Sequence, residues 1–143
     1  MIIMSVDFGD VRTGIAVCGK SELIASPVTV ISERDFDKCA EKTAALAKEQ
    51  RAERIVVGYP KNMNGTVGER AEKCSLFADK LKELTGIPVV LWDERNTTVS
   101  AHNALNVTNT RGKKRKAVVD AVAATIILES YLEYRRNSRE SAT

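Results

Sequence analysis

The chain is predicted to adopt an α/β fold with one mixed five-stranded sheet, in which three antiparallel strands are followed by two parallel ones and helices cover both faces. Three features predict it. Five short, β-rich apolar runs are bounded by turn residues. Helical stripes of apolar residues separate the third, fourth and fifth runs, which favours parallel pairing through right-handed crossovers. A last, nearly all-apolar helical stretch, Ala117–Leu128, needs a broad surface to bury it.

Ile2–Val6 is the first strand, and Gly14–Cys18 reads as its hairpin partner across a turn at Phe8–Thr13 that contains Gly9 and Asp10. Val28–Ile31 is the third strand. Ser32 is placed to cap a helix reaching about Gln50, with Phe36, Ala40, Ala44 and Ala47 on one face. The fourth strand, Arg54–Val57, is stopped by Gly58-Tyr59-Pro60, and a polar loop follows at Lys61–Gly65. Thr66-Val67-Gly68-Glu69 has the capping-box pattern, and Val67, Ala71, Cys74, Ala78 and Leu81 form the stripe behind it. Gly86 and Pro88 end that helix. Val89–Trp92 is the fifth strand, with Trp92 read as core, and a short helix is expected from Thr97 or Thr98. Asn106–Lys116 reads as a polar, mobile loop, and the final helix runs from Ala117 to about Arg136. One domain over residues 1–136 and a flexible tail over 137–143 are expected.

Composition narrows the chemistry. No apolar run reaches the roughly 18 residues that span a bilayer, and the N-terminus lacks a basic signal-like region, so a cytoplasmic protein without membrane contact is expected. Cys18, Cys39 and Cys74 are odd in number and widely spaced, as in buried, reduced thiols. His102 is the only histidine. Histidine metal sites and Ser–His or Cys–His nucleophiles are thereby disfavoured, and catalysis would rest on carboxylates. The net charge of +3 hides an asymmetry: residues 111–139 carry eight Lys/Arg against three Asp/Glu. A basic C-terminal third is suited to a polyanion, although a solvated surface patch accounts for the charge equally well.

The acids stand out by position. Asp120 is the lone charge within Ala117–Leu128, Asp7 ends the first strand, and Asp93-Glu94 follow the fifth. In open α/β sheets ligands gather beyond the carboxyl ends of the parallel strands, where these residues fall. Each acid has an ordinary reading: Asp7 as a turn former, Glu94 as a partner of Arg95, Asp120 as a first-turn residue favoured by the helix dipole. Together Asp7, Glu94 and Asp120 make an all-oxygen site for Mg²⁺ or Mn²⁺, with Asp93 as alternative to Glu94. Two such ions about 4 Å apart can activate water and stabilise the leaving oxygen of a phosphodiester.

The neighbouring residues fit such a substrate. Asp7-Phe8-Gly9 reads as a phosphate-gripping hairpin, with Gly9 permitting positive φ and close backbone approach, or as a plain turn. Asn62-Met63-Asn64-Gly65, between a strand end and a helix start, is either a phosphate cradle aided by Lys61 and Arg70 or a simple turn. Arg95 is placed to reach a phosphate or to hold Glu94. Arg111, Lys113, Lys114, Arg115 and Lys116 would grip a nucleic-acid backbone.

The segments VDFGDVRTGIAV, VVGYPKNMNGTVGERA, WDERNTTVSA and VVDAVAATIILESYL resemble, in order and over nearly the whole chain, the four motifs of the YqgF/RuvX family of ribonuclease H-like proteins. The resemblance implies a ribonuclease H-like fold and divalent-metal-dependent phosphodiester hydrolysis in a bacterial cytoplasmic protein related to RuvC-type Holliday junction resolvases. Family members are commonly described as nucleases that process the 5′ end of the small-subunit ribosomal RNA precursor. Carried over, Asp7 takes the first-strand acid, Glu94 the second and Asp120 the acid of the last helix. Asn62 and Arg95 match shared positions. The loop PKNMNG departs from the usual PLNMDG, and Asn-Thr-Thr follows the DER where Leu-Ser-Thr is commoner.

The leading expectation is a two-metal-ion endonuclease acting on pre-16S rRNA, with branched DNA as the alternative substrate. A non-catalytic RNA- or ribosome-binding factor is the competing class, and a kinase-like nucleotide binder a third. Either a monomer or a homodimer is compatible with the sequence.

Overall fold

The computed structural model describes the backbone at residues 1–22, 24–59, 68–93 and 112–142, and side chains over the same residues apart from 112–121 and 138–142. Its strands are β1 (Ile3–Asp7), β2 (Arg12–Cys18), β3 (Ala25–Ser32), β4 (Arg54–Tyr59) and β5 (Val89–Asp93). Its helices are α1 (Phe36–Glu49), α2 (Glu69–Thr85) and α3 (Gly112–Ala142).

The sheet order is β3-β2-β1-β4-β5, antiparallel through β3, β2 and β1 and parallel through β1, β4 and β5. This is the mixed sheet predicted from the alternation of strand and helix patterns. β1 and β4 are central and read as continuous apolar runs because both of their faces are covered. Pro27 is accommodated on β3, an edge strand that requires no donor on its open side.

Pleat alternation sorts the core into two layers. Met4, Val6, Ile55 and Val57 pack with α1 and α2, where Phe8, Phe36 and Phe77 meet. Ile3, Ala16 and Val56 pack with Ala124, Ile127, Leu128, Tyr131 and Leu132 of α3 on the other face. All three cysteines are buried, as their spacing led one to expect.

Several boundaries differ from the sequence-based expectations. β3 runs on through Ser32, which pairs with Arg12, so Ser32 does not cap α1. The cap is Asp35, whose carboxylate accepts from the Lys38 N–H at 2.9 Å. At α2 the N-cap is Gly68, without a side-chain cap bond, rather than Thr66, which lies outside the described residues. Gly86 ends α2 in the left-handed conformation, as its position predicted.

The largest difference is at the last helix. It begins at Gly112, not Ala117, so the run Lys113–Lys116 belongs to its first turns rather than to a loop. It also continues past Arg136 to Ala142, through residues expected to form a tail. Helix propensity favours this, since Lys, Arg and Ala are among the best helix formers.

α3 is fastened at the Met1 end of β1 by a nearly buried acid. Glu22, 6% exposed, holds Arg135 Nε at 2.6 Å and the Met1 ammonium at 2.9 Å. Replacing one partner of such a cluster leaves charge poorly solvated. Glu22→Gln is expected to lower stability by about 2 kcal/mol. Urea denaturation should show this as a lower midpoint at unchanged slope.

Candidate metal and nucleic-acid site at the carboxyl edge of the sheet

The site is built on the end of β1. Asp7 is the last residue of that strand, half-buried and paired with Gly14 of β2. Ser5, two residues earlier and therefore on the same face, donates its buried hydroxyl to the Ala124 carbonyl of α3 at 2.6 Å. Asp7 thus belongs to the face that α3 covers.

The direction of α3 follows from two contacts. Arg135 meets Glu22 at the amino end of β1, while Ala124 sits beside Ser5. From its C-terminal half toward its N-terminus the helix therefore climbs toward the carboxyl end of β1. Asp120 precedes Ala124 by one helical turn, about 6 Å of rise. Asp7 lies about 6.6 Å beyond Ser5 along the strand. The backbones bearing Asp7 and Asp120 are in this way brought to the same edge and the same face. Because α3 starts at Gly112, Asp120 is well inside the helix and its first turn contains no acid. The first-turn dipole reading of Asp120 is overturned, since that effect fades within the first turn.

β5 brings its end to the same edge. Gly58 pairs with Trp92 and Tyr59 with Asp93. Val90 and Trp92 pack on the α3 side, with the Trp92 indole N–H donating to Ser130 Oγ at 3.1 Å. Val89 packs on the opposite side. Asp93 shares the parity of Val89, so the pleat directs it to the α1/α2 face, away from Asp7 and α3. Glu94, Asn62, Arg95 and Arg111 lie outside the described residues, as does the short helix expected near Thr97. Of Lys113, Lys114, Arg115 and Lys116 the structure places the backbone, at the start of α3.

Among the described residues, no group of three or more His, Cys, Asp or Glu is arranged around a common point. Of the acids expected to bind a cation, Asp7 and the backbone of Asp120 are described at this edge, and a carboxylate offers only oxygen, the donor a hard cation such as Mg²⁺ or Mn²⁺ takes.

The turn after Asp7 is more heavily braced than its sequence indicated. Gly9 is required by crowding, not by positive φ: a Cβ there would stand 2.0 Å from the Arg12 carbonyl oxygen. The Gly9 N–H donates to Thr13 Oγ1 at 3.3 Å. Phe8 stacks on Phe77 of α2 with ring centroids 4.3 Å apart. Arg70, in the first turn of α2, donates to the Phe8 carbonyl and pairs with Asp10 at 3.0 Å. Lys73 reaches the same Asp10 oxygen at 3.2 Å. The sequence showed Arg70 only as a positive charge near a loop, because its partners lie some sixty residues away.

Similarity to known proteins bears on this edge. The sequence profile of the RuvX family, described as Holliday junction resolvase, matches residues 1–134. The chain belongs to the RuvX family. A relative from Caldanaerobacter subterraneus subsp. tengcongensis, named "Putative pre-16S rRNA nuclease", is 43% identical over 140 residues, covering 96% of this chain and 100% of its own. One of the same name from Agathobacter rectalis is 42% identical over 142 residues, covering 97% and 99%. In structure, the chain resembles Thermus thermophilus RuvC in complex with a Holliday junction, with a TM-score of 0.58 at 15% identity over 94% of this chain and 96% of that one. It also resembles the Fowlpox virus resolvase bound to Holliday junction DNA, with a TM-score of 0.55 at 11% identity, covering 94% and 98%. At these identities the likeness establishes the ribonuclease H-like fold that the motifs implied. Among the described residues no helix is long and apolar enough to cross a membrane.

Asp10 supplies a pH test of the brace. The Lys73 hydrogen bond first, and then the Arg70 charge, hold its pKa below the ordinary aspartate range. A depressed pKa means that the tie favours folding above the ordinary value and is lost as pH falls through the lowered one. In an NMR titration, Asp10 should have its midpoint below about 3.9, and Lys73→Ala should move it upward toward that value. An unmoved midpoint would show that the contact carries no energy in solution.

Proposed function

We propose that this chain is a divalent-metal-dependent endonuclease that trims the 5′ end of pre-16S rRNA in the cytoplasm. The observation that carries the reading is the seating of α3, which brings the Asp120 backbone to the strand end that holds Asp7. Family membership and the names of relatives near 43% identity point to the same activity. Residues 1–136 would form the catalytic domain.

In this reading Asp7, Glu94 and Asp120 hold Mg²⁺ or Mn²⁺. Glu94 is preferred to Asp93 because the pleat sends Asp93 to the other face of the sheet. When bound, the cations lower the pKa of water and neutralise charge on the phosphodiester oxygens. The chain's own contribution is to position the scissile phosphate. Asn62 and Arg95 orient it, while Arg111, Lys113, Lys114, Arg115 and Lys116 hold flanking phosphates. Cations in the first turn of a helix oppose its macrodipole, so a polyanion lying there relieves an unfavourable field. A monomer provides the full set of acids for cleaving a single strand.

A second reading, resolution of branched DNA, is favoured by the description of the family and by the two junction-bound structures of the same fold. Both substrates present phosphodiesters to the same carboxylates, and two cuts on a symmetric junction would call for a homodimer. Binding of RNA or ribosomes without turnover is the outcome that would replace both.

Two assays test these assignments. A labelled precursor-rRNA fragment and a four-way DNA junction should be offered with Mn²⁺, Mg²⁺ or EDTA. Cleavage should require the metal, favour the RNA, and fall by more than about 100-fold in Asp7→Asn and in Asp120→Asn. Full cleavage by either variant removes that acid from the site. Binding measured in EDTA should weaken in Lys113→Ala and Lys114→Ala on all sequences alike. The slope of log affinity against log salt should become shallower by about 1 for each phosphate no longer neutralised.

A further inference from the structure

Beyond the three acids, the structure assigns a positioning residue: we propose that Arg70 sets the geometry of Asp7 as a cation ligand, acting through the Phe8 carbonyl. This rests on the reading of Asp7 as a ligand, and it adds a residue from the opposite face of the sheet.

The parallel ladder between β1 and β4 ends at Val6↔Val57. Arg70 anchors the chain beyond that point. One guanidinium nitrogen donates to the carbonyl of Phe8, the residue directly after Asp7, and the other lies 3.0 Å from Asp10 Oδ1. The guanidinium carbon stands 5.4 Å from the Phe8 ring centroid, within cation–π range. The same residue thus holds the backbone, the ring and the next acid of the turn. Thr13 closes the turn from within, and Phe77 supports the Phe8 ring from α2.

A ligand-bearing carboxylate must be held within about 0.5 Å of its working position. Aspartate has a short side chain, so error in its backbone passes almost undiminished to its oxygens. A brace on the following peptide limits that error. Lysine can replace arginine here only in part, because an ammonium keeps the charge but lacks the planar fork that serves the carbonyl and the carboxylate together. A purely structural Arg70 would contribute to folding and leave cation affinity untouched.

The test measures Mn²⁺ binding to the full chain by calorimetry, alongside thermal stability, in wild type, Arg70→Ala, Arg70→Lys and Arg135→Ala. Arg135 makes a comparable clamp at the far end of the sheet, on Glu22. Arg70→Ala should weaken Mn²⁺ binding by about 10-fold to 100-fold, as substitutions behind a metal ligand do. Arg70→Lys should recover part of that affinity. Arg135→Ala should lower stability yet bind Mn²⁺ like wild type. Folded Arg70→Ala with wild-type Mn²⁺ affinity overturns the proposal. If Arg70→Ala does not fold, Arg70→Lys and Asp10→Asn carry the same readout, and unchanged affinity in both overturns it equally. Wild type that binds no Mn²⁺, or that binds it equally well as Asp7→Asn, defeats the assignment of Asp7 and this inference with it. Wild-type binding abolished in Asp7→Asn but kept in the Arg70 variants defeats this inference alone.

Discussion

The axial seating of α3 on the sheet is the constraint on which the rest of the structure depends. It is set by a buried hydrogen bond, Ser5 Oγ to the Ala124 carbonyl, inside a layer of apolar contacts. Two small residues at the crossing let helix and strand approach closely enough for the bond to form. Apolar contact alone is non-directional and would tolerate a slide of the helix by part of a turn. A hydroxyl with no water around it must find its acceptor, so the bond selects one position. That position, and the climb of the helix from Glu22 toward the end of β1, places Asp120 opposite the residue two steps beyond Ser5.

The two faces of the sheet divide the work. The α3 face carries Asp7 and the approach of Asp120. The α1/α2 face carries an aromatic cluster and the Arg70 brace that steady the turn beyond Asp7. Because alternate residues of a strand face opposite sides, the same rule that joins Asp7 to the α3 face excludes Asp93 from it. Electrostatics complements this arrangement. Acids gather at the strand ends, where a cation would neutralise them, and bases gather at the start of α3, where they oppose the helix dipole unless an anion lies there. The proposed metal-assisted reaction on a phosphate backbone would satisfy both sets of charges.

Much of this was legible in the chain itself. Strand order followed from the spacing of apolar runs, and the single charge within Ala117–Leu128 marked Asp120 as a residue needing a partner. Local patterns were less secure where two readings shared the same letters. Thr66 to Glu69 fits a capping box, yet the helix starts after Gly68. Ser32 fits a cap, yet pairing with Arg12 keeps it in the sheet. Lys113–Lys116 looked like a loop because the run is polar, although lysine and arginine are also good helix formers.

By itself the sequence determined the fold class and the family and nominated the acids that metal chemistry would use, because hydrophobic period and residue type are local properties carried by the chain. Only the tertiary structure decided which of those residues share a face. It set Asp7 on the α3 side, sent Asp93 to the other, placed Asp120 too deep in its helix for a first-turn role, and joined Arg70 to a turn far from it in sequence. Those relations depend on pleat parity, on helix seating and on contacts between residues distant along the chain, which are settled only when the layers pack.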